Sequence, residues 1–414
     1  MRSPCPSFYH YNMRTHLMGP VVALMLTASI ASAQSAAMPA DTGRAPKAKG
    51  LKVDARFDLL AEYDGNVFLL PSSKKNNVAT PSAAAVASGR YADMDAFADV
   101  ITTGRAALGF RGNGINGRDL TLTPVVTYEF YALNAERRNV SLDLSLEQDL
   151  RRDGRFRLRA GYVPAYFSRN YLADATDANL DGTITPEERV YARGDYSEFG
   201  TQADFRLRLA KSTRAKPFGA FLFLGAGYVS RGYDAPFAAR DFNGPTGTLR
   251  LRLAPRRGLE FETTYDVAVL SSPVTVQVVL LDEPVYGQDL NGNGNATDLS
   301  ARTMRAVDRS RSEHAMGQVM RFEAGTRTDI ELMVEYRLRQ FTSDEPYDAA
   351  NNGRRDQRLQ LGVDLERRLR RGVRLLAGVR YGSQGLDRRT DLGAEGAVDD
   401  YTKLQARLGL RVTR

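Results

Sequence analysis

The stretch LKVDARFDLLAEY, residues 51–63, decides the fold because its polar and apolar residues alternate one by one. One face carries only apolar and aromatic side chains: Leu51, Val53, Ala55, Phe57, Leu59, Ala61 and Tyr63. The opposite face carries charged side chains, with Leu60 as the single exception: Lys52, Asp54, Arg56, Asp58 and Glu62. Such strict alternation predicts a β-strand whose two faces lie in different solvents.

The same alternation recurs about fourteen times down to residue 412, and the connections between copies alternate in length. Short ones such as 151–154 and 254–258 follow even strands, whereas long hydrophilic ones such as 64–95, 167–196 and 271–303 follow odd strands. This arrangement is typical of barrels in an outer membrane, with the short turns on the periplasmic side. We therefore predict an all-β fold in which residues 51–414 form a single-chain antiparallel transmembrane β-barrel with long extracellular loops.

A tyrosine lies near the long-loop end of each odd strand, on the apolar face: Tyr63, Tyr128, Tyr162, Tyr228, Tyr265, Tyr336 and Tyr381. On the clearest strands, six to eight residues separate the first outward residue from the tyrosine. At ~3.3 Å per residue this spacing is close to the height of the apolar band of an outer-membrane barrel. The tyrosines therefore predict an aromatic girdle at the membrane surface.

The N-terminal region has the order of a cleavable export signal. Arg14 precedes an apolar run at 18–30 and the small residues Ala31-Ser32-Ala33, so we expect a signal peptide at 1–33 and a flexible lead-in at 34–50. The only cysteine, Cys5, belongs to the expected signal, so the exported chain should lack disulfides and cysteine chemistry. The net charge of +8 comes from scattered arginines, which argues against a nucleic-acid partner.

The polar faces of neighbouring strands carry opposite charges and predict a charged lumen. The candidate lumen residues are Asp54, Asp58, Glu62, Arg157, Arg159, Arg250, Arg252, Glu260, Glu262, Arg374, Lys403, Arg407 and Arg411. We expect Arg252 to face Glu260, Arg250 to face Glu262, and Glu366 to face Arg374 across their hairpins. Closure of the last strand on the first should pair Glu62 with Lys403, Asp58 with Arg407 and Asp54 with Arg411. Such pairs either stabilise a wet interior or create local fields that select charged or sugar-like solutes.

Two long loops contain oxygen ligands at calcium-binding spacing. The first, DANLDGTITPEE at 177–188, offers Asp177, Asn179, Asp181, Thr183 and Glu188 and resembles an EF-hand loop. The second offers Asp289, Asn291, Asn293 and Asn295 but has Ser300 at the twelfth position, which predicts a weaker site. Bound Ca²⁺ would order these loops structurally; the alternative for each is a polar loop that binds no ion.

Few residues are available for enzymatic catalysis. His10 and His16 fall in the expected signal, which leaves His314, expected to face the lumen, as the only possible histidine base. No G-x-S-x-G or H-E-x-x-H motif is present, so we predict that the protein is not an enzyme.

The heptapeptide EYDGNVF at 62–68 resembles the Y-D-x-N-V-F motif at the first strand of a group of β-barrel porins from Gram-negative outer membranes. The resemblance rests on this motif and on the strand rhythm over 51–412. It implies an outer-membrane location, outer-membrane lipid and the barrel assembly machinery as partners, and a role in solute or polysaccharide passage. The sequence thus favours a porin-like passive channel for small hydrophilic or charged solutes. The alternative is a non-conducting structural or surface-binding barrel, or part of a polysaccharide export system, with a plugged lumen.

Overall fold

The computed structural model describes residues 50–71, 75, 77–78, 80–151, 154–175, 189–210, 218–273, 275–279, 303–344, 351–387 and 400–413. Fourteen antiparallel strands close into one barrel, as the alternation predicted. They are Lys52–Asp64 (β1), Asp99–Asn113 (β2), Asp119–Tyr131 (β3), Asn139–Arg151 (β4), Gly154–Ala175 (β5), Arg189–Ala210 (β6), Gly219–Tyr233 (β7), Phe242–Arg256 (β8), Leu259–Leu270 (β9), Arg311–Glu323 (β12), Thr328–Phe341 (β13), Arg355–Arg370 (β14), Val373–Asp387 (β15) and Tyr401–Thr413 (β16). The strands Thr275–Val279 (β10) and Thr303–Val307 (β11) are not part of the barrel. Within the described residues, no helix has the length and hydropathy needed to cross a membrane.

The outer surface of the barrel is apolar. Phe57, Leu59 and Leu408 are each about half exposed on the outward face although they are large hydrophobic residues. Six of the seven girdle tyrosines are more than 40% exposed on that face: Tyr63, Tyr162, Tyr228, Tyr265, Tyr336 and Tyr381. A large exposed apolar surface is costly in water and is the normal exterior of a barrel in lipid.

Three connections contain more regular structure than the sequence predicted. The expected loop at 167–196 is wrong in part, because β5 and β6 remain strands as far as Ala175 and Arg189. The expected loop at 271–303 contains Thr275–Val279 (β10), which pairs with Thr303–Val307 (β11) in a separate two-stranded sheet. The expected loop at 64–95 contains a short helix, Ala83–Ala87 (α1).

The barrel closes through β1 and β16, but in a different register from the one expected. Arg411 lies opposite Asp58, and Arg407 lies opposite Glu62, a slip of four residues from the predicted pairs. An even slip leaves every side chain on its predicted face. The closing register is set by the accumulated stagger of all the other strand pairs, so charge matching between two strands could not determine it.

Two short turns shift the neighbouring charge pairs by two residues. Arg252 lies opposite Glu262 rather than Glu260, because Arg256 pairs with Leu259 at the turn and a bulge precedes it. Arg368, rather than Glu366, lies opposite Arg374, and a bulge again adjoins the turn. Bulges place an extra residue in one strand and displace the ladder beyond it.

The main cluster of buried apolar side chains lies at the long-loop end of the barrel. We call it the mouth cluster: Val67, Phe68, Leu70, Val78, Met94, Ile101, Tyr131 and Phe167. Its first five members belong to the connection between β1 and β2, whereas Ile101 and Tyr131 lie on the inward faces of β2 and β3. The first long loop therefore folds inward against the wall of the barrel.

Candidate functional site: the charged bore

All thirteen candidate lumen residues lie on inward faces, and most of them form ion pairs. One group surrounds Glu262 on β9, whose carboxylate lies 2.7 Å from Arg252 and 3.4 Å from Arg321. Arg250 lies 3.6 Å from the same carboxylate, and Glu260 lies 2.9 Å from Arg321. Arg252 also lies 3.4 Å from Glu260. Each of the two arginines therefore contacts its expected carboxylate diagonally, although the register differs from the one expected.

A second group of ion pairs spans the seam, the paired strands β1 and β16. Asp58 accepts hydrogen bonds from Arg411 at 2.9 Å and from Arg56 at 3.0 Å, and it is almost completely buried. Arg411 also lies 2.6 Å from Glu366, which contacts Arg374. A continuous chain of charges therefore joins four strands at the short-turn half of the bore.

The remaining candidates form smaller groups. Asp204, which is buried, lies 2.9 Å from Arg157 and 3.0 Å from Arg159. Arg407 lies 2.7 Å from Asp364. The last three candidates are Lys403, 2.6 Å from Asp64; Glu62, which accepts a 2.7 Å hydrogen bond from Gln405; and Asp54, 4.0 Å from Arg111 and exposed.

Two phenylalanines point into this charged interior from β7. Phe221 lies beneath the guanidinium groups of Arg206 and Arg208, at 5.4 and 5.5 Å from the ring centre. Phe223 lies similarly beneath Arg250 and Arg252, at 5.6 and 5.5 Å. These distances are within the range of cation–π attraction. The sequence reasoning missed both rings, although Leu222 and Leu224 on the outward face of the same strand imply them.

Several other partners in the network were also missed. Asp204, Arg321 and Asp364 each join two or more charged neighbours. Each alternates with outward apolar residues, so the face could have been read from the sequence. Their partners could not, because partner identity depends on register.

His314 does not face the lumen, contrary to expectation. It lies opposite the outward residue Val267, and its Nδ1 is 2.8 Å from the hydroxyl of Tyr265 in the aromatic girdle. The period of β12 places Met316 and His314 on one face and Glu313 and Ala315 on the other. The histidine is therefore on the exterior, away from the charged bore.

Two cavities open along the bore. The larger, of about 1110 Å³, lies at the short-turn half and is lined by equal numbers of arginines and carboxylates, among them Arg56, Arg321, Arg411, Asp58 and Glu366. The smaller, of about 470 Å³, lies higher, between β2 and β8. We call the smaller one the mid-bore cavity. Arg105 on β2 lines both, so the two spaces meet at its side chain.

The motif residues after β1 connect the seam to the first long loop. The N–H of Gly65 donates to the carbonyl of Leu404 on β16 at 2.8 Å, and a Cβ at this position would lie 3.1 Å from that oxygen. Asn66 is completely buried; its side chain donates to the carbonyls of Thr402 and Leu70 and accepts from the N–H of Leu70. The backbone of Asn66 is held in turn by the Asp64 carboxylate. The motif therefore adds two hydrogen bonds beyond the ladder that closes the barrel, and it fixes the start of the loop.

The mouth cluster is extended by buried arginines packed on aromatic rings. Arg137 lies over Phe68, 4.8 Å from the ring centre, and contacts Tyr166. Phe68 in turn meets Phe167 edge-on at 6.2 Å. The Arg137 guanidinium also donates to the carbonyl of Ser168, and this bond attaches the connection between β3 and β4 to β5.

A tyrosine beyond the girdle has a shifted pKa. Tyr171 lies on β5 nine residues beyond Tyr162, and the guanidinium of Arg240 is 3.6 Å from its ring centre. Burial alone would raise the pKa of the Tyr171 hydroxyl, but the charges of Arg169 and Arg240 and a 3.1 Å hydrogen bond with Ser168 together lower it. Its phenolate is therefore stabilised at the long-loop end.

Both candidate calcium loops lie outside the described residues. The strands that carry the first are described up to Ala175 and Arg189, which pair with each other. The second falls between β10 and β11, where Val279 pairs with Thr303. Each segment therefore begins and ends at the tip of a hairpin.

A closed antiparallel barrel with an apolar exterior and a charged interior is a transmembrane β-barrel, since closure satisfies every backbone group of the wall. No protein-family model and no curated protein sequence matches the chain.

The solved structures to which the chain is similar include outer membrane proteins and porins. A loop-deletion mutant of OmpT, an outer membrane protein of Vibrio cholerae, is 11% identical, with 88% of this chain and 99% of that chain covered and a TM-score of 0.38. An anion-selective porin from Comamonas acidovorans is 11% identical over 88% and 99%, with a TM-score of 0.34. The outer membrane protein OprD from Pseudomonas aeruginosa is 10% identical over 89% and 96%, with a TM-score of 0.34. At these values the function must be argued from the bore itself.

Proposed function

We propose that the protein is a passive channel of a Gram-negative outer membrane that passes small hydrophilic or charged solutes. The observation that carries this proposal is the pair of cavities joined at Arg105 inside a closed barrel lined by charged and hydroxyl side chains. An apolar band with a tyrosine girdle suits the outside of such a barrel to lipid.

Planar-bilayer recording tests the proposal. The purified full-length protein should produce stepwise increases in ion conductance on insertion into a solvent-free bilayer. Insertion without conductance, verified by protease protection of vesicles containing the protein, would contradict the channel and support the alternative below.

The alternative is a non-conducting barrel with a surface role, and one observation favours it. The mouth cluster packs Val67 and Phe68 of the first loop against the inward residues Ile101 and Tyr131, which fills part of the opening. The two functions differ in a single variable, the conductance of the intact protein.

We further propose that Ca²⁺ orders the long loops through Asp177, Asn179, Asp181, Thr183 and Glu188, with a weaker second site at Asp289, Asn291, Asn293 and Asn295. Five oxygen-bearing positions with glycine at the sixth place support the first site. Millimolar Ca²⁺ should protect the segment 177–188 from proteolysis, given affinities of ~10⁻⁴–10⁻³ M for extracellular sites.

Asp181→Ala should abolish that protection, whereas Asp289→Ala should leave it unchanged. Equal protection in the presence of a chelator would contradict the site.

A further inference from the structure

The mid-bore cavity contains two charged side chains that no other described residue neutralises. Four charged residues line it: Arg105, Asp143, Arg159 and Glu198. Arg159 is bound by Asp204 at 3.0 Å, and Glu198 accepts a 2.8 Å hydrogen bond from Arg231. Across the described part of the chain, Arg105 and Asp143 have neither an ion pair nor a side-chain hydrogen bond, and both are exposed to the bore.

The local structure explains why Arg105 remains unpaired. Asp58 on β1 lies directly opposite it, but that carboxylate is already bound by Arg56 and Arg411. On its other side Arg105 faces Thr127, whose hydroxyl carries no charge. The guanidinium is thus left directed at the space where the two cavities meet.

Asp143 is left free in a corresponding way on β4. Its neighbours across the two adjoining strands are Val125 and Gly161. A Cβ on Gly161 would lie 3.0 Å from the Asp143 Oδ1, so the carboxylate lies over a position that has no side chain to bind it. The nearby Arg159 is held by Gln202 and Asp204 instead.

Hydroxyl groups cover the wall between the two charges. Thr127 lies between Arg105 and Ser141, and Ser141 is two residues before Asp143 on β4. Ser141, Thr123 and Ser145 line the cavity. The two charges are carried two strands apart and two residues apart along the strands, which corresponds to ~12 Å between their backbones, and their side chains converge on one cavity.

We propose that the mid-bore cavity binds small zwitterionic solutes, namely amino acids or short peptides. Arg105 binds the carboxylate, Asp143 binds the ammonium group, and the hydroxyls between them bind the polar backbone of the solute. A simple anion or cation would satisfy only one of the two charges. The assignment of this site to solute passage rests on the channel function proposed above.

Calorimetric titration of the detergent-solubilised full-length protein with glycylglycine tests the site. Arg105→Gln and Asp143→Asn should each raise the dissociation constant roughly tenfold or more, since each removes one charged hydrogen-bonding partner. The matched controls Arg111→Gln on β2 and Asp149→Asn on β4 change the same residue types on the same two strands outside the cavity and should leave binding unchanged. Heat-modifiable migration of every variant on a gel verifies that it is folded.

N-acetylglycine, which lacks the ammonium group, separates the two roles. Its weaker binding should respond to Arg105→Gln and be insensitive to Asp143→Asn. Glycylglycine binding that is unchanged in both variants, or matched by acetate and ethylammonium, would overturn the proposal.

Bilayer recording distinguishes failure of the site from failure of the channel. Conductance that glycylglycine reduces in the wild type and not in either variant supports both. Conductance without any effect of glycylglycine rejects the site and leaves the channel. Specific binding in detergent without conductance rejects the channel and leaves the site.

Discussion

At the scale of single residues, the arginines of this protein have two environments. Inside the bore, side chains such as Arg321 lie within ion-pair distance of two or three carboxylates. At the long-loop end, Arg137 and Arg240 lie on aromatic rings instead, and Arg231 lies on a tyrosine ring while it also binds Glu198. Guanidinium groups suit both roles because they are planar, always charged and less strongly hydrated than ammonium.

Tyr171 provides a prediction on pH at this scale. Its pKa is lowered by Arg169 and Arg240 below the ordinary tyrosine value near ~10. Deprotonation therefore favours the folded cluster: the stabilisation is complete above the ordinary value and is lost as the pH falls through the folded-state value. In a pH titration followed by tyrosinate absorbance, one tyrosine should ionise at lower pH than the others, and Tyr171→Phe should remove that step.

Arg240→Gln should move that step to higher pH, because the variant removes a positive charge from the face of the ring. A step that stays in place in Arg240→Gln would show that another group lowers the pKa.

Residue faces could be predicted from the sequence, whereas partners could be predicted only within hairpins, where Arg252 contacts Glu260 and Arg374 contacts Glu366 as expected. Alternation alone placed Asp58, Arg252 and Glu262 on the inward face, where they lie. It could not identify Asp58 as a partner of Arg411, because a slip by any even number of residues preserves the face. The face of His314 is harder to predict, because Gln318 interrupts the apolar face that it shares with Met316 and Met320.

At the scale of elements, the first long loop behaves as a packed structure. It is attached to the seam through Asn66 and at its far end through Asp99, which accepts from the N–H groups of Leu133 and Asn134 at 3.0 and 2.8 Å. The side-chain oxygen of Asn134 accepts a hydrogen bond from the N–H of Ala96, in the last part of the loop. Both asparagines are completely buried.

Asn66→Ala should release this loop while leaving the barrel closed. The variant leaves the buried carbonyl of Leu70 and its N–H without partners, at a cost of about 1–3 kcal/mol. Limited proteolysis should then cut within 65–98, and heat-modifiable migration should persist. The matched control Asn113→Ala, at the exposed short-turn end of β2, should remain resistant.

Such a loop is difficult to predict because its pattern has no period. Val67 and Phe68 gave no signal of burial on their own, and their partners Tyr131 and Phe167 lie far along the chain. The strands, by contrast, can be predicted because their polar and apolar residues alternate with a period of two.

At the scale of the whole molecule, stability depends on the seam, since no hairpin turn connects β1 to β16. Asp58→Asn should lower the free energy of unfolding by about 1–3 kcal/mol, because it weakens bonds to Arg56 and Arg411 at a buried position. Asp54→Asn on the same strand should cost less than about 1 kcal/mol, since its pair with Arg111 is long and exposed.

Urea unfolding in lipid vesicles, followed by tyrosine fluorescence because the chain has no tryptophan, measures both variants. Equal losses for Asp54→Asn and Asp58→Asn would show that the seam charges do not contribute to closure.

The hydrogen bonds from Gly65 and Asn66 to Leu404 and Thr402 have a consequence for biogenesis. The ribosome makes the first loop long before the strand that supplies those two carbonyls. The start of this loop therefore lacks both attachments until the last strand joins the first, although Val67 and Phe68 pack against residues that are synthesised much earlier. A protease would thus cut the start of this loop more readily in an unfinished molecule than in a completed one.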